Sequence, residues 1–364
     1  VGLSPTAICQ PGRIANFPPS PFSMHPNTSA LSRRDALRFL GLAGAAAFLP
    51  SLVARAADAE SRAPQPAAPV GSTPSLAGAQ AGYYRFKIGE FEAVALDDGG
   101  FGGPLTEAPW PTGDREKLAA DLATAFLPND RFALPFNVLL VRMGAELVLI
   151  DTGCGPLYGP TNGKLASRLA AIGIKPEQIN AVFLSHVHGD HFGGLLDAQT
   201  NAPVFTNAQH FINRREFEFW TGNTPDLTAI PEKSRAVAQN CLNALKGRWQ
   251  FIAPGDKLLP GLEIIDAPGH TPGHIAFQFA SGNEQLLHFV DIVHHHAISF
   301  ANPEVPIAYD VLPQVAVATR KRLLDRAAAD RTRLFGAHMP FPALGYVRKI
   351  GDHYEHVIEP WAVG

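Results

Sequence analysis

Ser185-His186-Val187-His188-Gly189-Asp190-His191 follows directly on the short apolar run Ala181-Val182-Phe183-Leu184. A buried strand that runs straight into a loop of histidines is a rigid element aiming ligands. The segment carries four metal-competent side chains within six residues. The i, i+2 spacing of His186 and His188 puts both imidazoles on one side of an extended backbone. Asp190 and His191 lie beyond a turn at Gly189 and face a second point. One ion rarely needs four ligands from so short a segment. Two ions a few ångströms apart use them naturally, each a borderline Lewis acid taking N and O ligands.

The remaining ligands should come from the ends of other strands, and three candidates stand out by position. His270 lies in Pro268-Gly269-His270-Thr271-Pro272-Gly273-His274, after the predicted strand Leu262–Ile265. Asp291 follows the predicted strand Leu286–Val290, and His338 follows Arg333–Phe335. Further out, Val138–Val141 and Leu147–Ile150 flank Gly144-Ala145 and read as a hairpin. Leu165, Leu169 and Ile172 have helical spacing, closed by Gly173. Leu118–Phe126, Ser234–Leu245 and Pro313–Asp330 also read as helices. Phe86–Leu96 reads as a strand pair broken at Gly89-Glu90, and the Gly- and Pro-rich stretch Asp97–Thr112 as a long loop. Strands fall into two sets with helices among them, which fits two stacked sheets with helices outside.

The chain has 364 residues, 46% apolar and 17% charged, and its apolar content excludes a disordered chain. No run of 18 strongly apolar residues occurs past residue 60, so the body does not span a membrane. Ser32-Arg33-Arg34-Asp35, the apolar stretch Phe39–Val53 and Ala54-Arg55-Ala56 resemble a twin-arginine export signal. Residues 1–56 are therefore expected to be a signal region of a protein exported to the periplasm or beyond. Met24 stands just before the arginine pair, so residues 1–23 read as lying upstream of the true start. Residues 57–81 read as a flexible Ala/Pro/Gly/Ser linker and 82–364 as a single catalytic domain. The signal region carries +4 of a total of −3, leaving −7 on the rest, and no basic block for nucleic acid. Cys154 and Cys241 are lone, so no disulfide framework or cysteine zinc finger is implied.

His-x-His-x-Asp-His, together with the Gly-His-Thr-Pro-Gly-His segment and the spaced Asp291 and His338, resembles the metallo-β-lactamase superfamily over roughly residues 83–350. The resemblance implies an α+β fold, the αββα four-layer sandwich, with a two-metal site at the sheet edge. Carried over by motif, His186, His188 and His270 would hold one ion. Asp190, His191 and His338 would hold the other, and Asp291 would bridge. Asp151 in Leu149-Ile150-Asp151-Thr152-Gly153 matches a carboxylate that orients a ligand histidine. The bridging Asp291 argues against β-lactam hydrolysis. Gly82-Tyr83-Tyr84-Arg85, Leu157-Tyr158-Gly159-Pro160-Thr161, Phe219-Trp220 and Ala337-His338-Met339-Pro340-Phe341-Pro342 are most similar to the methyl parathion hydrolase branch. That branch lines its pocket with aromatics, which implies Tyr158 and Trp220 as substrate-binding, with Val237 at a third aromatic position. His294 stands where the branch has an apolar pocket residue, and is a further candidate for contact with substrate.

No serine or cysteine nucleophile motif is present. The expected enzyme is a hydrolase with two divalent ions, zinc foremost. A hydroxide bridging them would attack a small ester-type substrate, a phosphotriester, lactone or aryl ester, with Asp190 and Asp291 as its catalytic carboxylates. An iron-dependent redox or dioxygen enzyme on the same fold, and a lactonase or thioesterase without organophosphate activity, stay open as alternatives. The resemblance also implies a homodimer.

Overall fold

A computed structural model describes residues 81–222, 225–228 and 230–360. The expected signal region and all but the last residue of the expected linker lie outside them. Two sheets form the body. The first holds seven strands in chain order: β1 (Tyr83–Ile88), β2 (Phe91–Pro104), β3 (Arg131–Met143), β4 (Glu146–Ile150), β5 (Ala181–Leu184), β6 (Gln209–Asn213) and β7 (Trp249–Ile252). The second holds β8 (Leu262–Asp266), β9 (Ile275–Ser281), β10 (Glu284–His288), β11 (Arg333–Phe335), β12 (Leu344–Ile350) and β13 (His353–Ile358), also in sequential order. The helices are α1 (Arg115–Thr124), α2 (Leu165–Ala171), α3 (Gly189–Phe192), α4 (Arg214–Thr221), α5 (Pro225–Thr228), α6 (Glu232–Ala244), α7 (Ile298–Ala301) and α8 (Pro313–Asp330).

Period-2 alternation decides which face each strand residue serves. Leu139, Val141, Val148, Ile150, Ala181 and Phe183 point into a core shared with Ile264, Phe277, Phe279, Leu286 and Leu334 of the second sheet. Their neighbours Val138, Leu140, Leu147, Leu149, Val182 and Leu184 point the other way, into a second core. That core is closed by Leu165 and Leu169 of α2 and by Ala238 and Leu242 of α6. Leu323, Leu324 and Ala327 of α8 join the core of the second sheet. The result is the αββα sandwich. Both faces of β4 and β5 are buried, which is why their sequences read as unbroken apolar runs.

The stretch expected to be a loop from Asp97 is corrected by the structure. β2 continues to Pro104, paired with β3 from Arg131 to Phe136, past a register shift between Asp97 and Gly99. Gly99 takes φ +124°, a conformation open to glycine, and so carries the bulge. The glycines that looked like loop punctuation serve a strand. The hairpin β12–β13 and the unit β6–α4 are further elements the sequence reading did not draw.

The two sheets meet at one rim. β4, β5 and β6 pair in parallel, as do β10 and β11. The loops that follow β4, β5, β10 and β11, and the loop between β8 and β9, gather there. Backbone bonds tie them: Ile275 N donates to Ser185 O at 3.1 Å, and Asn137 N to Ala337 O at 2.8 Å.

Candidate metal centre

Four buried histidine rings at this rim are fixed in the same way. His338 Nδ1 lies 2.9 Å from the carbonyl of Pro135, which can only accept, so Nδ1 carries the proton. His270 Nδ1 donates to Asp310 Oδ1 at 2.8 Å, and His191 Nδ1 to Asp151 Oδ2 at 2.8 Å. Ser185 Oγ gives its proton to Asp151 Oδ2 at 2.8 Å and so accepts from His186 Nδ1 at 3.0 Å. In each ring Nδ1 carries its proton outward, so the neutral ring turns the lone pair of Nε2 inward. Such outer partners set the tautomer and ring angle of metal-ligating histidines.

The inward atoms fall into two groups. His186 Nε2 is 3.1 Å from His188 Nδ1, which is 2.8 Å from His270 Nε2. Asp190, His191 and His338 form the second: Asp190 Oδ2 lies 3.6 Å from His191 Nε2 and 3.5 Å from His338 Nε2. Asp291 stands between them. Its Oδ2 is 3.2 Å from His270 Nε2 and from His338 Nε2, and its Oδ1 is 3.2 Å from His191 Nε2. The seven residues expected to be ligands are thus brought together, with Asp291 between the two groups, and His270, Asp291 and His294 also converge. Within each ligand triad the atoms lie within 4.8 Å of one another.

This donor set fits divalent cations. His191 Nε2 and Asp291 Oδ1 are buried with no hydrogen-bond partner, a costly state for polar atoms unless something else satisfies them. Burial lowers the pKa of His188 to about 3 and takes His186 well down too, so both offer neutral nitrogen. Burial also opposes ionisation of Asp190 and Asp291, but neighbouring histidines outweigh it, His191 and His338 above all, and hold both carboxylates low. The converse holds for His191: burial opposes its protonation, and Asp291, Asp190 and Asp151 prevail to raise it. The cluster demands positive charge, which protons or metal ions can supply in competition.

Asp151 follows β4 with φ +61°, and its Oδ1 also accepts from Ser185 N at 2.8 Å. It orients His191 directly and His186 through Ser185. Asp310 does the same for His270 and is itself met by Arg320 Nη2 at 3.4 Å. His274, on the motif with His270, accepts the Asp291 amide at 3.3 Å through Nε2. Asp310, Ser185 and Arg320 were not foreseen. Asp310 lies 40 residues from His270 with no spacing signal, although Ser185, adjoining His186, was within view.

The three expected substrate contacts fare differently. Tyr158 is 41% exposed, and its hydroxyl lies 3.5 Å from Asp190 Oδ1. Its ring meets Phe136 at 5.3 Å and Phe101 at 6.4 Å, and Phe101 meets Tyr309 at 6.5 Å. These aromatics make a wall running from His338, itself 5.7 Å from Phe136, toward solvent. Phe101, Phe136 and Tyr309 carried no motif. His294 is buried, with Nε2 3.3 Å from Asp291 Oδ2 and no hydrogen-bond partner. Trp220 is corrected: it is 1% exposed, edge-on to His188 at 5.9 Å, and its indole N–H is taken by Glu216. It lies beneath a ligand rather than on a surface that substrate can touch. Val237 packs against the outer core. Cys154 is buried, and burial followed by Asp98 pushes its thiol far up, which removes it as a nucleophile.

Fold and site together define a metal-dependent hydrolase. The profile of the metallo-beta-lactamase superfamily matches residues 132–338, and the chain belongs to that superfamily. It is 25% identical over 235 residues to the N-acyl homoserine lactonase AiiA of Bacillus thuringiensis subsp. kurstaki, covering 59% of this chain and 85% of that one. Among solved structures it is similar to AidC, a dizinc quorum-quenching lactonase in complex with a product. That match has a TM-score of 0.73 and 32% identity, covering 77% of this chain and 98% of AidC. The hydrolase AbOPH matches with a TM-score of 0.70 and 26% identity, covering 78% of this chain and all of its own. Among the described residues no helix is long and apolar enough to cross a membrane.

Proposed function

We propose that this protein is a two-zinc lactonase that opens the ring of uncharged lactones carrying an apolar acyl arm, the N-acyl homoserine lactones foremost. The observation that carries this reading is the pair of converging ligand groups bridged by Asp291 beside an aromatic wall. The lactonase relatives support the choice of substrate. Bound divalent ions supply a water acidified from about pKa 15.7 to about 7 and a Lewis-acid contact for the substrate oxygen.

The side chains supply the rest. Asp190 is held as a carboxylate, and its Oδ1 accepts the proton of the attacking water and returns it to the leaving alkoxide. His294 Nε2, buried and 3.3 Å from Asp291 Oδ2, donates to the oxygen on which charge develops. Burial lowers the pKa of His294 to about 4 against the pull of Asp291, so it acts as a neutral donor. The wall of Phe101, Tyr158 and Tyr309, backed by the buried Phe136, takes the apolar arm. That same wall favours a second reading, in which aryl esters or aryl phosphotriesters are also hydrolysed.

A panel of acyl homoserine lactones, aryl acetates and a paraoxon-type triester on zinc-loaded protein tests both readings. Lactone turnover well above the others is expected, and no lactone turnover would remove the first. His294→Phe should keep its zinc and lose about 10²-fold in kcat; an unchanged kcat would remove His294 from the reaction. Export by the Arg33-Arg34 segment is part of the same proposal. Cell fractionation should find the protein outside the cytoplasm, and an Arg33→Lys/Arg34→Lys variant inside. A homodimer is also proposed, and light scattering of the purified protein checks it.

A further inference from the structure

Glu216 sits on α4, outside the seven ligands, and is fully buried. Its carboxylate accepts four hydrogen bonds. Oε1 takes Val187 N at 2.9 Å and Trp220 Nε1 at 2.7 Å; Oε2 takes Thr271 Oγ1 at 2.6 Å and Gly273 N at 3.0 Å. All four donors are neutral. An ionised carboxylate has about four acceptor sites and no donor, so the match is complete in the charged form. Burial raises the pKa of this carboxyl, and the four bonds offset only part of that rise.

The donors are not scattered. Val187 lies between His186 and His188, and Thr271 follows His270. Trp220 supports the His188 ring. At Gly273 a Cβ would stand 2.2 Å from Glu216 N, so only glycine lets this loop approach α4 so closely. Glu216 thus joins the two segments that carry His186, His188 and His270. These three rings aim nitrogens at one point from 2.8 to 3.1 Å apart. Three rings packed this closely keep their spacing only if the segments that carry them are held from behind.

We infer that Glu216 is a positioning residue for the three-histidine half of the centre: its carboxylate ties the 185–188 segment to the 270–273 segment and sets the spacing of His186, His188 and His270. This rests on the reading of the site as a metal centre. Glu216→Gln keeps the size but turns an NH2 group toward two of the donors, breaking two bonds and setting donor against donor. Zinc content, chelator competition and the visible spectrum of the cobalt-substituted protein report on the ions. Hydrogen exchange of metal-free protein reports on the segments themselves.

In Glu216→Gln one ion of two should weaken by about 10–100-fold while the other is retained. In the metal-free variant, peptides covering 185–188 and 270–273 should exchange at least several-fold faster, with the peptide containing His338 unchanged. Wild-type affinity for both ions with unchanged exchange would overturn the inference. So would equal loss of both ions with faster exchange throughout, which marks a general structural role. If Glu216→Gln does not fold, Thr271→Val removes a single bond and should give the same local pattern at a few-fold scale; an unchanged Thr271→Val would overturn the inference. If wild-type protein binds no ion, the metal-centre reading fails, while the exchange arm still decides whether Glu216 joins the two segments.

Discussion

Asp291 is the residue on which the two halves of the site depend. It occupies a short 3-10 turn, Val290–Ile292, just past β10, with its amide held by His274. Both of its oxygens face histidine nitrogens of different groups. Asp291→Asn keeps the shape, but one of its two atoms becomes a donor facing a lone pair. The expected result is at most one tightly held ion and a loss of about 10³-fold or more in turnover, since a metal's charge stabilisation is worth several kcal/mol. Elemental analysis alongside lactone titration measures both. Two ions at full occupancy in this variant would contradict the bridging place of Asp291. At this scale the ligands were legible because histidine and aspartate cluster in short motifs. Glu216 and Asp310 were not, because a lone carboxylate on a helix or loop reads the same whether it faces water or a buried loop.

At the scale of elements, α8 does more than cover a sheet. Its Arg320 is 2% exposed and reaches across to the loop that follows Asp291. Nε donates to Ile292 O at 2.7 Å, Nη1 to Pro303 O at 2.9 Å and Val305 O at 3.2 Å, and Nη2 to Asp310 Oδ2. A planar fork with five donors suits this task, whereas a lysine ammonium does not. Arg320→Met would leave three carbonyls and a buried carboxylate without their partner. Removing one member of a buried ion pair costs about 3–5 kcal/mol, so a marked fall in denaturant midpoint is expected in metal-free protein. Arg320→Lys should recover little of it. A midpoint near wild type in either variant would show that the loop holds itself. The helix was legible from end to end, because Pro313 opens it and its apolar spacing is regular. Its role was hidden, because sequence does not tell which buried arginine faces which loop. β2 shows the opposite failure: its glycines read as loop, while the facing strand made use of their missing side chains.

Over the whole molecule, burial of neutral histidines outside the site ties stability to pH. His210 on β6 and His356 on β13 have both ring nitrogens unpartnered. Burial, with Arg248 beside His210 and His296 beside His356, lowers each pKa to about 4. The unfolded chain takes up these protons near pH 6.5 and the folded chain only near 4. Between those values the unfolded state binds more protons, so stability falls as pH falls. Each histidine contributes a slope of at most about 1.4 kcal/mol per pH unit. Unfolding midpoints measured from pH 7 to 4.5 should therefore drop less steeply in His356→Gln than in wild type. Parallel curves would mean that His356 titrates normally in the fold.

The sequence alone determined the elements and the chemistry available. Period-2 apolar runs specify strands buried on both faces, and His-x-His-x-Asp-His with Asp291 and His338 specifies who can bind metal. Both signals are local, and local patterns survive in one dimension. Only the tertiary structure decided how these groups meet: Asp310 behind His270, Arg320 behind Asp310, Glu216 between two ligand loops, and Trp220 beneath His188 instead of facing substrate. These contacts join residues 10 to 57 positions apart in the chain. Most come into reach because the ends of two sheets are packed onto one rim, and no spacing rule encodes that.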